Sequence, residues 1–525
     1  MARRSQSIIF SGLAILVGGG LISLTLVLAV WGLWQAGDGI QLAQFSDPYL
    51  WHILWFSSYQ ALISASLSLL IGTWLGRCLF YLKATGTHWW LDLASVCFVA
   101  PVILVVLGVV GAFGHNGIWS RLLGQHLSIY GLSGIFAAHL FLNIPLFIRH
   151  SYLLWQGIAV TQWQQAQQLG MSSWQRWRYL EWPLLRAALL NSFVVVFLLC
   201  FGSFTIVLAL GGGPAYTTLE VAIYQALKYD FEPAFALACA LLQLVIALGL
   251  SGIFSRRSAS TPPSSVNNYR PSIGYPMRQL MRGSLLVGGG FFLSVIMGIF
   301  TALWPFHWRY IAWSALAQAT TTSLVIAGLS WLCCVVMLSA LSWLLRQSWH
   351  NARLKWLAGL SSFWASALLF VPPMVVSTGL FFWMWQRGYQ GYLWPLVALV
   401  NAMMALPFAS RFLQPALWQL DDNYRHLLNE LALTPYQAWR VVYLPVLARP
   451  IALASAFALV LSLGDMGVVA LLGDVDLLTL PLLIYQQLGH YQFASASMSG
   501  LWLLLLCIAI FVVMRRLGEK MRTVC

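Results

Sequence analysis

The sequence predicts an all-α polytopic membrane protein of about twelve transmembrane helices, arranged as a tandem parallel repeat of two six-helix halves. Three observations carry that prediction. The composition holds too few charges for a water-soluble body, apolar runs recur along the whole chain, and the second half repeats the first.

Hydrophobic residues fill 60% of the 525 positions and charged residues only 8%, with a mean hydropathy of +0.78. A soluble domain carries about 25% charged residues. The solvent for most of this surface is therefore lipid. Runs of roughly 18–25 apolar residues suit a hydrocarbon core of about 30 Å. In the first half they fall at about 8–34, 57–82, 90–113, 131–156, 185–210 and 233–254. In the second they fall at about 284–306, 318–345, 357–384, 392–415, 447–472 and 497–515.

Charge placement tests that count, because short cytoplasmic loops accumulate Lys and Arg. With both termini in the cytoplasm, only Arg121, Lys228, Arg309 and Arg387 of the 28 Lys and Arg fall outside. A miscounted helix would scramble the alternation downstream. The net charge of +14 thus reflects topology, and no clustered basic face points to nucleic acid. Arg3 and Arg4 precede an apolar run too long for a signal-peptide core of about 7–15 residues, so it reads as a retained first helix. The eight Cys have no metal-ligand spacing, and most sit in spans as small hydrophobes. No catalytic residue and no metal site is expected.

Shifting the chain by 262 positions brings the halves into register. Leu62, Ala65, Leu67 and Ser68 meet Leu324, Ala327, Leu329 and Ser330. Pro145 and Arg149 meet Pro407 and Arg411; Trp177, Arg178 and Pro183 meet Trp439, Arg440 and Pro445. After a one-residue slip, Ile223-Tyr224-Gln225 meets Ile484-Tyr485-Gln486. Leu and Ala matches arise from composition, but Trp-Arg and Pro at one constant offset do not. Six helices per half make the repeat parallel, which favours a path along its axis. The expected division is a first transmembrane domain at 1–254, a Ser/Pro-rich cytoplasmic linker at 255–283 and a second transmembrane domain at 284–525.

The loop after the fourth span, QQAQQLGMSSWQRWRYLEWP at 164–183, is the most informative. Gly170 suits a left-handed helix end. Ser172 and Gln175 then form a capping box for a new helix, which Pro183 ends or joins to the next span. The second copy places Ala432, Thr434, Gln437 and Pro445 at the matching positions, with Pro435 at the first helical position. Each helix sets Trp and Tyr beside Arg: Trp177 and Arg178 in one, Trp439 and Arg440 in the other. That composition marks a protein contact surface. An interfacial helix facing headgroups shares it, but two matching capped copies favour docking of a partner present twice.

This loop resembles the EAA loop of bacterial binding-protein-dependent ABC importer permeases, whose pattern is E-A-A-x3-G-x9-I-x-L-P. Ala166, Gly170, Leu180 and Pro183 fall on the pattern, while Gln164 and Gln165 replace Glu and Ala. In the second copy Val442, Leu444 and Pro445 fit, Ala432 takes the Gly position, and His426, Leu427 and Leu428 replace the triplet. The resemblance implies type I permease domains in the bacterial inner membrane. It also implies two copies of an ATP-binding subunit docked on the paired helices, a periplasmic substrate-binding protein outside, and alternating access. Fused two-loop chains resemble the ferric-iron and thiamine importers. The stretches YLWHILWFSSYQ and LSLGDMGVVALLGDVDLLTLPLLIYQQLG look most like the thiamine and thiamine pyrophosphate permeases.

The chain carries no energy source of its own. Its lysines are Lys83, Lys228, Lys355 and Lys520, none comes after a Gly, and no phosphate loop can be written. ATP and Mg are expected on the partner subunits, and no cofactor on this chain. Asp465 reads as deep in the eleventh span with Ser203 as its counterpart; His139 pairs with Asn401. Intramembrane polar residues of this kind are candidates for a translocation path or for helix–helix hydrogen bonds. An anionic Asp465 suits a cationic solute. External loops 211–232 and 473–491, with Glu220, Asp474 and Asp476, are expected to receive the binding protein. An ion-driven carrier is the nearest rival and would need no docking helices.

Overall fold

Away from water each backbone N–H must find its acceptor inside the segment, so apolar runs of this length become helices. The computed structural model describes residues 19–36, 42–82, 90–93, 100–255, 273–301, 312–350, 371–388, 393–430, 435–473 and 477–523, with single positions at 87, 97, 271, 359, 363, 364 and 368. Among these every regular element is helical. The first half comprises α1 (Leu21–Ala36), α2 (Pro48–Leu82), α3 (Val102–Phe113), α4 (Leu132–Gln156) and α5 (Val160–Gln168). It continues with α6 (Ser173–Arg176), α7 (Trp182–Phe201), α8 (Thr205–Leu210), α9 (Leu219–Lys228) and α10 (Pro233–Ser255). The second comprises α11 (Tyr275–Thr301), α12 (Trp313–His350), α13 (Pro373–Trp385), α14 (Trp394–Glu430) and α15 (Pro435–Ala438). It ends with α16 (Leu444–Gly464), α17 (Gly467–Leu472), α18 (Leu480–Gly489) and α19 (Phe493–Thr523).

Ten helical segments among the described residues are long and apolar enough to cross a membrane, and α1 and α13 are shorter apolar helices. Together they account for the expected spans. Prolines shorten two of them. Continuous helix begins at Val102 behind Pro101 and at Pro373 behind Pro372, because Pro lacks a donor and disfavours helix in the residue before it. Residues 256–270 of the expected linker lie outside the described residues, and α11 begins inside its expected range, at Tyr275.

Two compact units form, and they interleave along the chain. One unit contains Met1–Ser46, Ile223–Leu244 and Trp308–Cys525; the other contains Asp47–Ala222 and Val245–His307. Within the first unit, α1 packs along α13. Within the second, α11 packs along α3. The first span of each half thus lies on the third span of the other half. Glycine makes both approaches possible. A Cβ at Gly379 would collide with the Ala29 carbonyl oxygen, and one at Gly298 with that of Gly108. Without a hydrophobic drive between helices in lipid, such backbone proximity supplies the van der Waals contact that holds them.

The fifth span is broken in both halves. α7 ends at Gly202 before α8, and α16 ends at Gly464, with Asp465 and Met466 separating it from α17. Asp465 therefore sits at a helix break rather than within a continuous span. The next short helices, α9 and α18, are fixed by serines from elsewhere. Leu219 N–H donates to Ser57 Oγ at 3.0 Å, and Leu480 N–H donates to Ser323 Oγ at 2.9 Å. The repeat counterpart of Ser323 is Ala61, one turn beyond Ser57, so each half meets the same need from a different turn.

Gly379→Ala is expected to destabilise the protein by about 1–3 kcal/mol, because the overpacked contact is backbone. Gly290→Ala, where a new Cβ would meet nothing within 4 Å, is the control with no loss. Thermal unfolding in detergent measures both.

Candidate functional site

The loop between α5 and α7 is built by its caps. Gly170 takes φ of +63°, the left-handed conformation expected of it, and Met171 N–H donates to the Ala166 carbonyl at 3.1 Å. Ala166 is buried beside the turn, with Trp163 one turn earlier also buried. The chain then restarts as helix through a complete capping box. Gln175 N–H donates to Ser172 Oγ at 3.3 Å, and Ser172 N–H donates to Gln175 Oε1 at 2.8 Å. Two orphan donors of the new helix are thereby satisfied.

Pro183 does not end this helix. Helical structure runs on from Ser173 to Phe201, and a π-helical turn at Trp177–Glu181 joins α6 to α7. A proline inside an α-helix collides with the carbonyl four residues back and leaves it without a donor. Widening the preceding turn relieves that collision. The second loop repeats the device at the same register, with a π-turn at Trp439–Tyr443 ahead of Pro445. Ala432 and Thr434, the expected cap of the second loop, lie outside the described residues. Gln437 and Arg440 fall within the second loop's described helix, and Arg440 is exposed. Upstream the halves differ. Gly157 ends α4 in the first, whereas α14 runs unbroken to Glu430 with Gln419 at the matching position.

The first loop presents apolar surface outward. Leu169 is 72% exposed, Trp174 66% and Tyr179 65%, with Trp182 also exposed. Arg178 is exposed and lies over the Tyr179 ring at 5.9 Å. Trp177 points the other way, its ring beneath the Arg77 guanidinium at 5.2 Å. Trp177, singled out by sequence, is therefore an anchor, whereas Trp174 and Tyr179 form the exposed face.

Arg77 leads to the feature that sequence reasoning missed. Glu181, the last residue of the π-turn, is fully buried. Arg77 from α2 donates to it twice, Nε to Oε2 at 2.9 Å and Nη2 to Oε1 at 3.1 Å. Tyr81 Oη donates to Oε1 at 2.6 Å, and Trp155 Nε1 from α4 donates to Oε2 at 3.0 Å. Phe80 stacks on Trp155 and on Trp163 of α5. Four hydrogen bonds from two membrane helices thus converge on one carboxylate at the root of the loop. Removing one partner of such a pair strands a buried charge and costs about 3–5 kcal/mol. The available signal was an Arg and a Glu within apolar surroundings, each close to the end of a span.

The path candidates divide between the units. In one, Asp465 and Asn401 meet: the carboxylate faces the Asn401 amide and the backbone N–H groups of Gly467, Val468 and Val469. Asn401 also donates to Ser462 Oγ at 3.2 Å. Asp465 Oδ2 is buried and has no hydrogen-bond partner among the described residues. In the other unit His139 Nδ1 pairs with Ser64 Oγ at 3.0 Å, and its buried Nε2 is unpartnered among the described residues. Ser203 stands at the break before α8, and its carbonyl accepts from Thr218 Oγ1 at 3.5 Å. Glu220 is buried, which removes it from the expected external docking surface; Asp474 and Asp476 lie outside the described residues.

Both halves thus share a broken fifth span, a short loop helix and a π-turn that continues as helix into the next span. The family described as binding-protein-dependent transport system inner membrane component matches residues 348–523. The thiamine transport system permease protein of Escherichia coli (strain K12) is 36% identical over 518 residues, covering 96% of this chain and 95% of its own. That of Haemophilus influenzae is 36% identical over 516 residues, covering 94% of each. The chain belongs to this permease family. A Haemophilus influenzae Fe(3+)-transport system permease protein is more distant, 24% identical over 357 residues, covering 64% of this chain and 67% of its own. The permease is thus a polytopic inner-membrane transport component, and the half that matches the family description carries the loop that departs further from the E-A-A triplet.

Ser172→Ala removes the side-chain half of the capping box and is expected to cost about 0.5–2 kcal/mol locally. Hydrogen–deuterium exchange should accelerate at Gln175 and its neighbours while the α2 and α4 amides stay protected.

Proposed function

We propose that this permease imports thiamine, thiamine pyrophosphate or both, as the membrane subunit of an ATP-driven, binding-protein-dependent system. The observation that carries the reading is near full-length similarity to thiamine transport system permeases at 36% identity. The ferric-iron permease is similar over a shorter stretch and at lower identity.

Two ATP-binding subunits dock from the cytoplasm, one on each paired loop. Ala166, Gly170, Ser172 and Gln175 shape the first loop, Trp177 and Pro183 seat it, and Arg178 contacts the partner. Ala432, Thr434, Gln437, Trp439, Arg440 and Pro445 serve in the second. Both termini and the linker are cytoplasmic, with permease domains at 1–254 and 284–525. A loaded periplasmic binding protein docks outside, and closure of the ATPase pair tilts the two bundles toward the opposite opening. Hydrolysis belongs to the partners, so this chain is not an enzyme. Along the path, the unpartnered oxygen of Asp465 offers a carboxylate to the positive thiazolium of thiamine. Asn401 orients it, and His139 and Ser203 are the path candidates of the other unit.

Proteoliposomes holding the permease, its ATPase and its binding protein are expected to accumulate labelled thiamine only with ATP. Accumulation of ferric iron instead would overturn the substrate. The double variant Arg178→Glu/Arg440→Glu is expected to lose co-purification of the ATPase; full retention would remove the docking role. Asp465→Asn should lower thiamine uptake about tenfold, the equivalent of about 1.4 kcal/mol. Unchanged uptake would leave Asp465 as a cap for α17 alone.

A further inference from the structure

The two docking loops share a π-turn and differ in the residues around it. Their π-turns occupy the same repeat register, Trp177–Glu181 and Trp439–Tyr443. In each, the last residue is buried: Glu181 in the first turn and Tyr443 in the second. The partners are exchanged with it. At the 262-residue offset Arg77, Tyr81 and Trp155 become Ser339, Trp343 and Leu417. Ser339 is exposed and donates to the Val336 carbonyl of its own helix at 2.8 Å. Tyr443 and Leu417 lie instead in an apolar cluster with Leu341, Leu344 and Leu447.

The fork and an apolar cluster respond differently to force. Apolar contact is non-directional and keeps most of its value when surfaces slide. A guanidinium fork on a buried carboxylate has fixed geometry, and any displacement leaves charge unpaired in a low dielectric. Glu181 is also bound by Tyr81 and Trp155, so the fork cannot pivot about one bond without losing the others.

We infer that Arg77 and Glu181 are positioning residues, a rigid clamp through which the first docking helix moves as one body with the inner ends of α2 and α4. In the second loop Tyr443 stands in the place of Glu181 and Ser339 in that of Arg77, so the same guanidinium–carboxylate fork is not built there. The inference rests on the reading of both loops as ATPase docking helices.

The test uses the complete complex in proteoliposomes and reads solute moved per ATP hydrolysed, on complexes that retain the ATPase. The double variant Arg77→Met/Glu181→Leu replaces the ion pair by apolar groups, a change that buried pairs often tolerate without loss of stability. Its ratio is expected to fall about tenfold, within the usual range of roughly 5–150-fold for coupling between sites. Arg77→Lys keeps the charge and loses the fork, and should fall less. A double variant with normal thermal stability and a parental ratio would overturn the clamp. If the double variant does not assemble, Glu181→Gln decides: it keeps the shape and removes the charge, and a parental ratio there overturns the clamp equally. Failure of the docking reading is separate, because it shows as ATPase retained after the Arg178 and Arg440 reversals.

Discussion

A backbone N–H or C=O left unpaired in hydrocarbon costs several kcal/mol, roughly 2–7 for an amide without a partner, and that constraint decides where this chain spends its polar residues. Most spans satisfy it as uninterrupted helix. Where the helix stops inside the bilayer, a side chain takes over. Ser57 and Ser323 receive the N–H groups that open α9 and α18, and Asp465 faces those that open α17. The π-turns answer the same demand at Pro183 and Pro445, shifting the hydrogen-bond ladder rather than abandoning it. Breaks in these helices are thus built features with named partners.

The repeat shows which of those features the fold needs and which it can vary. Both halves keep the broken fifth span, the π-turn and the serine cap. They differ in the residues that serve them. Ser323 lies one turn from the position equivalent to Ser57, and Tyr443 in an apolar cluster stands where Glu181 meets Arg77. Fusion of the halves in one chain frees each copy to drift, since neither must serve on both sides of an assembly. Geometry persists while its chemistry diverges, and the asymmetric anchors are the result.

The first loop was largely legible in sequence because its determinants are local. Gly170, Ser172 and Gln175 act over three to five residues, and the observed φ and capping box are those their spacing predicts. Pro183 was legible as a discontinuity but not as a π-turn, since the choice between stopping and widening depends on whether the next span continues the same helical axis. The clamp was not legible. Arg77 and Glu181 stand 104 residues apart, and apolar periodicity carries no information on which polar groups in different spans meet. Glu220 failed for a related reason: an acidic residue between two spans reads as exposed until packing shows it buried.

By itself the sequence determined the lipid-facing composition, the succession of spans, the parallel repeat and the short helices paired between the fourth and fifth spans. These depend on hydropathy, charge and turn chemistry summed over short windows. Only the tertiary structure decided that α1 and α11 leave their own halves to pack on α13 and α3, and that the fifth spans break at Gly202 and Gly464. It alone also joined the first loop helix to α2 and α4 through a buried ion pair and its hydrogen-bond partners. Close backbone approach and desolvated charge pairing are properties of surfaces brought together from distant positions, and no local window contains them.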